Sequence, residues 1–409
     1  MKLLSQYKGL RRENYILFLG RIVTNLGSMI WPVMTMILNQ KMGFSAAEVA
    51  IVMIVVGGIQ MPLGLLGGKW ADNYNKKNII VLFDTISVVF YITCAFLPLS
   101  WLSLILLFTA SGLQGMERPC YNALIADITK TKDRDRAYSL SYLGGNIGLV
   151  ASPTIAGLLF ENYLWLSFLI SGLAIFTSTV LIFFFVKDIT PVEEKESTAK
   201  YQESDDKASA WEILKANKVL FLYMIIMALY WGAYDQYGYL MPLDLARIHG
   251  EKGALIYGSV SSLNCIVVVL CTPIITALLS KLSYTKKNLI SMFLVLGGYM
   301  IFLFGLGIVP VYYIAITLFT WGEILSTTVS GPYTTERIPA SHRGRMNSVM
   351  GMLQSIIAGI IMYTTGFLFD NLGSVMAWSF IFLLLGMATV GSIILIPLDK
   401  KAYKELYDK

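Results

Sequence analysis

Apolar residues run along this chain in blocks of about twenty, broken by short polar stretches that carry most of the charge. A bilayer core roughly 30 Å thick needs about 20 apolar residues per helix, so each block predicts a membrane-crossing helix. Twelve are expected: 14–38, 46–68, 78–97, 101–127, 137–160, 165–186, 218–246, 254–280, 288–309, 311–336, 346–369 and 374–397. Pro98 and Pro310 mark the tight 97/101 and 309/311 junctions. A large soluble helical core would give each helix a polar face, and stretches such as Trp101–Ala110 and Leu164–Val186 have almost none.

The basic residues give an independent check, because Lys and Arg concentrate in cytoplasmic loops. With the N-terminus inside, 27 of the 32 fall in inside segments and only Lys41, Arg247 and Lys252 fall outside. Arg21 and Arg118 lie within spans. A count wrong by one helix would scramble this alternation, so an all-α, multi-pass protein with both ends cytoplasmic is expected in the cell (inner) membrane. The net charge of +6 is then the pull of anionic lipid on that face rather than a sign of nucleic-acid binding. No cleavable signal peptide is expected, because Lys2–Arg12 leads straight into a full-length span.

The polar segment 187–217 divides the chain into a six-helix bundle (1–186), a cytoplasmic linker and a second six-helix bundle (218–409). Its early part reads as solvated, and its end, near Trp211, Ile213 and Leu214, as a short surface helix or plain linker. The two bundles repeat one another. Tyr74–Ile80 returns at Tyr284–Ile290, Arg134-x-Arg136-x-x-Ser139 at Arg343-x-Arg345-x-x-Ser348, and Gly157–Asn162 at Gly366–Asn371, at offsets of 209 or 210. Parallel repeats of this kind place a substrate site between the halves near the bilayer midplane.

Polar residues recur at i, i+3, i+4 and i+7, which share one helix face. Span one carries Arg21, Thr24, Asn25 and Ser28, and span four Gln114, Glu117, Arg118 and Tyr121. Span seven carries Trp231, Tyr234, Asp235 and Gly238, and span ten Glu323, Ser326, Thr327 and Ser330. A charge held at mid-bilayer costs at least about 2.5–3.5 kcal/mol, so such residues need a function or a partner. Glu323 first and Asp235 second are the expected proton carriers; Glu117 and Arg118, about 100° apart around the helix, are expected each to find a partner across the cavity rather than each other, with Arg118 setting when a carboxylate releases its proton. A fixed structural pairing of Glu117 and Arg118 is the alternative. Trp231, Tyr234 and Tyr239 beside Asp235 would suit a lipophilic cation, and Arg21, Asn25, Gln114, Tyr121, Ser326 and Thr327 complete the expected substrate contacts. Asp84 is expected in a structural ion pair with Arg21, Asp127 and Asp244 in solvent at helix ends, and Pro119 at a kink.

Other chemistry finds little material. Cys94, Cys120, Cys265 and Cys271 lie within spans, and His249 and His342, in loops, are the only histidines, so neither a disulfide nor a metal site is expected. There is no phosphate-binding Gly-Lys-Ser/Thr loop. A proton gradient rather than a cofactor is the expected energy source. The expected protein is a monomer in lipid with a small-molecule substrate and no enzymatic activity.

Four segments carry a family resemblance. Gly68-Lys-Trp-Ala-Asp72-Asn-Tyr-Asn75-Lys76-Lys77 resembles the loop motif Gly-x-x-x-Asp-Arg-x-Gly-Arg-Arg of the major facilitator superfamily. Glycine would let helices approach there, the carboxylate would cap a helix, and Asn75 would supply the left-handed backbone of the usual glycine. Asn73 replaces the usual basic residue. Gly148-x-x-x-Ser152-Pro153-x-x-Ala156-Gly157 is similar to the superfamily's antiporter motif, an ordinary small-residue helix interface being the alternative. Phe319-Thr-Trp-Gly-Glu323 and Tyr234-Asp235-Gln236 look like the acidic helices of proton-coupled multidrug antiporters of the LmrP kind. Span five has Ser141 and Tyr142 where those proteins hold a further carboxylate. The resemblance implies two rocking six-helix bundles that exchange protons for lipophilic or cationic small molecules. Proton-coupled import of a peptide or sugar, or lipid and lysolipid translocation, are the alternatives.

Overall fold

The computed structural model describes residues 7–130, 133–187, 217–338 and 343–407, the side chains of Asp72, Asp135, Arg343, Gly344 and Arg345 excepted. The expected linker helix near Trp211, Ile213 and Leu214 lies outside the described residues, as does His342. Among the described residues the secondary structure is helical, in the expected order. Ten stretches are long and apolar enough to cross a membrane, and one of them, Lys218–Leu278, holds both spans seven and eight. Span four falls outside that set because Gln114, Glu117 and Arg118 interrupt its apolar run.

Three spans are interrupted where the sequence reading drew them whole. Span one runs Arg12–Leu26, then Ile30–Met36, and ends in a π-turn at Ile37–Lys41. Span five breaks between Arg134–Leu149 and Ser152–Leu159, because Pro153 has no N–H to give the carbonyl one turn back. Span seven breaks between Lys218–Tyr234 and Gln236–His249. This leaves Asp235 as the cap of the first segment rather than a mid-helix residue, and His249 within the helix rather than a loop. Other spans are longer than expected: Ala46–Asn73 for span two, Arg343–Leu372 for eleven and Ser374–Ala402 for twelve. Local chemistry sets the ends. Span four starts at a Ser100/Ser103 capping box and span ten carries Pro310 in its first turn.

By contacts the chain forms two units, one of Met1–Phe44, Val52–Glu196 and Leu245–Val269, the other of Ser45–Ile51, Ser197–Asp244 and Leu270–Lys409. In the first, span one packs on spans five and six, and span three on four and six. In the second, span seven packs on eleven and twelve, and span nine on ten and twelve. The pairings are those of the first unit shifted by six helices, as the repeated motifs require. The large apolar side chains of Phe304 (80% exposed), Leu278 and Phe96 (75% each) point outward, which suits a surface solvated by lipid.

Candidate functional site

Span one and span four turn their polar stripes to the same space. Arg21, Thr24, Asn25, Ser28, Gln114, Glu117, Arg118 and Tyr121 all line one cavity of about 440 Å³ within the first unit, a volume within the roughly 300–1,000 Å³ of small-molecule sites. Helical spacing put each set on one face, and the packing of the bundle turned both faces inward. Span two adds Gln60, whose amide donates to Ser111 at 2.6 Å, and spans one and three add Trp31 and Tyr91. These were not singled out from sequence, because an isolated polar or aromatic residue in an apolar run leaves no periodic signal.

Charges inside this wall are paired differently from expectation. Asp84 is 4% exposed and accepts from the Thr179 hydroxyl at 3.0 Å. Its carboxyl also meets that of Glu117 in a side-chain hydrogen bond, so its partners are on spans four and six rather than Arg21. Two carboxyls can hydrogen-bond only if one carries a proton. Glu117 Oε2 is buried with no donor within reach among the described residues. Arg21 sits over the Tyr121 ring at 5.9 Å, with its charge acting on Glu117. Glu117 and Arg118 do not pair with each other, and Arg118 makes no hydrogen bond or ion pair with a described residue, contrary to the expected cross-cavity partner.

The second unit brings the other two stripes together through one contact. The Tyr234 hydroxyl reaches the Glu323 side chain. The Tyr234 ring stacks on Phe319 at 4.8 Å and meets Trp231 edge-on at 5.0 Å. Asp235 is exposed at the span-seven break. Thr327 is exposed and donates to the Glu323 carbonyl at 2.8 Å, whereas Ser326 is fully buried with its hydroxyl toward the Tyr230 side chain. Tyr239 stands apart from Asp235's surroundings: it is 2% exposed and its hydroxyl donates to the Ala46 carbonyl at 2.5 Å.

The loop motif is placed with three differences. A side chain would be blocked at Gly67, where a Cβ would lie 2.0 Å from the Met116 carbonyl oxygen, whereas Gly68 has open space. Asn75 is extended (φ −65°, ψ 114°) and caps span three by accepting from Asn78 N–H, so no left-handed turn is needed. Asp127 forms an ion pair with Lys76 at 2.8 Å instead of facing solvent alone. Lys77 lies over the Phe183 ring at 5.7 Å. In span five, Gly148 abuts the Ile22 carbonyl of span one, while Gly157 and Pro153 face span eight. A Cβ at Gly157 would come within 2.4 Å of the Ala254 oxygen, and one at Gly258 within 2.1 Å of the Pro153 oxygen.

Two further buried acids went unseen or misplaced. Asp244 is fully buried and accepts from Ser374 and, at 3.0 Å, from the Trp378 indole, so it is not solvated. Asp399 is fully buried and accepts from Arg337 at 2.6 and 2.9 Å, Tyr333 at 2.7 Å and Tyr407 at 2.5 Å. Among the described residues no group of three or more His, Cys, Asp or Glu could hold a metal ion.

Similarity to known proteins agrees with this architecture. The Na+, Li+, K+/H+ antiporter of Planococcus maritimus is 22% identical over 347 residues, 78% of this chain and 80% of the relative. The multidrug resistance protein MdtH of Yersinia enterocolitica is 28% identical over 163 residues, 39% of this chain and 40% of its own length. Among solved structures, a POT family transporter in complex with 5-aminolevulinic acid superposes with a TM-score of 0.77 at 16% identity, covering 96% of this chain and 97% of the other. A peptide transporter POT in complex with sulfate gives 0.77 at 15% identity, covering 96% and 95%; at such identities the likeness is one of fold. Residues 17–361 match the family described as the Major Facilitator Superfamily, and the chain, a multi-pass membrane transporter and not an enzyme, belongs to it.

Proposed function

We propose that this transporter is a proton-driven exporter of lipophilic small molecules, working by antiport from the cytoplasm across the cell membrane, with both chain ends cytoplasmic. The observation that carries this reading is the gathering of intramembrane ionisable groups on cavity walls and aromatic shelves instead of at lipid: Glu117, Arg21 and Arg118 on the first-unit cavity, Glu323 against Tyr234 in the second. Carboxylates held there can load a proton on one side and release it on the other as access alternates between the halves. One proton crossing 100 mV supplies about 2.3 kcal/mol, between one and two decades of cargo gradient. The span-five motif, packed backbone to backbone on span eight through Gly157 and Gly258, supports export, as do the antiporter and multidrug names of distant relatives.

Proton-coupled import of a polar solute is the second reading, favoured by the amides and guanidiniums of the cavity wall. Everted membrane vesicles separate the two. Under export, acidifying the vesicle lumen drives lipophilic dyes into it. Under import, a polar solute given on the extracellular side draws protons to the cytoplasmic side and the dyes do not move.

A further inference from the structure

We propose that the first-unit cavity holds an anionic group of the cargo, a carboxylate or sulfonate, on the guanidinium of Arg118. The inference rests on the transporter reading and narrows its cargo to amphiphilic organic anions.

A guanidinium is always charged, and inside a membrane its charge needs a counterpart. Arg118 lines the cavity, is exposed to it, and makes no hydrogen bond or ion pair with a described residue. The neighbouring acids are already engaged. Glu117 and Asp84 meet carboxyl to carboxyl and so carry at most one negative charge between them, and Arg21 acts on that pair. Counting Arg21 against the pair leaves the charge of Arg118 over.

Uncharged groups on the same wall fit an anion. Gln114 precedes Arg118 by one helical turn on the same face, and its amide makes no hydrogen bond to a described residue. A guanidinium fork and an amide one turn away can bind a planar carboxylate from two sides. Trp31, Val56, Met53 and Ile175 complete the wall with apolar surface for the rest of the molecule. A cationic cargo would instead face the uncompensated guanidinium of Arg118 in a cavity of about 440 Å³.

The test uses full-length protein in lipid nanodiscs, with empty nanodiscs subtracted, and three tritiated probes on one ring system: naphthalene-2-carboxylate, naphthalene-2-sulfonate and 2-naphthylmethylammonium. Saturable binding of both anions at least tenfold tighter than the ammonium is expected. Arg118→Gln should remove that preference, and Arg118→Lys should keep part of it. The proposal is overturned if the ammonium binds as tightly as the anions, if no anion binding saturates, or if Arg118→Gln leaves the preference intact. The wild-type preference needs no variant, so a misfolded substitution does not spare the idea. Proton-driven dye export that persists without any anion preference would sink this inference alone. Arg118-dependent anion binding without proton-driven export would sink the export reading alone.

Discussion

Asp370, near the end of span eleven, holds the start of span two at Ala46: its two carboxylate oxygens accept the backbone N–H groups of Ala46 at 3.0 Å and Ala47 at 2.9 Å. Ser45 and Glu48 complete the cap by bonding each other's backbone N–H groups at 2.8 and 3.2 Å. Four orphan donors of the helix N-terminus are thereby satisfied, and the carboxylate sits at the positive end of the helix dipole. Asp370→Ala should cost about 0.5–2 kcal/mol, the usual loss when a helix N-terminus gives up its capping side chain. Thermal unfolding in detergent reads it; an unchanged melting temperature would show that the contact contributes nothing.

Glu161, which stands in the repeated motif where Asp370 stands in its second copy, forms an ion pair with Lys41 at 3.1 Å. Both partners are part-exposed, and such pairs contribute roughly 0–1 kcal/mol. Glu161→Gln should therefore leave the melting temperature nearly unchanged where Asp370→Ala lowers it. Equal losses would refute the ranking.

Arg337 and Asp399 give the strongest stability prediction. Their side chains are 2% and 0% exposed, and Arg337 also stacks on Tyr333 at 3.8 Å. Removing one partner strands a buried charge, at a cost of about 3–5 kcal/mol, whereas replacing both by apolar residues is often neutral. Asp399→Leu alone should lower the melting temperature sharply, and Arg337→Met with Asp399→Leu should recover most of the loss. A double variant no better than the single one would contradict this account.

Glu323→Gln and Asp235→Asn should each abolish proton-driven accumulation and leave downhill exchange of cargo in place, because neutralising a charge in the bilayer does not weaken the fold. Accumulation against a gradient by both variants would remove these residues from the proton path.

Gly157→Val and Gly258→Val test the packing of span five on span eight. Both place carbon inside the contact distance of a backbone carbonyl oxygen, which cannot swing aside as a side chain can. Loss of transport with a lowered melting temperature is expected, and full activity in both would show that the two helices part at no cost.

Helix positions were legible because a bilayer imposes a length and a hydropathy on every crossing, and the motif spacing announced the repeat. The cavity wall was legible for the same reason: Arg21, Asn25, Gln114 and Arg118 fall on helical periods, and a period survives folding. Pairings were not. Asp84 is a lone acid in an apolar span, and only the tertiary packing brings Thr179 and Glu117 to it. Asp399 finds Arg337 62 residues away, a distance over which no local pattern speaks. The helix breaks near Gly27 and Asp235 were missed because hydropathy is blind to backbone bonding.

None of the four cysteines is in a disulfide; Cys94 and Cys120 are enclosed by the first unit, and Cys265 and Cys271 are only part-covered. A maleimide spin label or fluorophore should thus have just two native attachment points. Serine at both would give a background into which pairs of reporters can be set, one on each bundle, and the separation between them followed by electron–electron resonance while protons and cargo are varied.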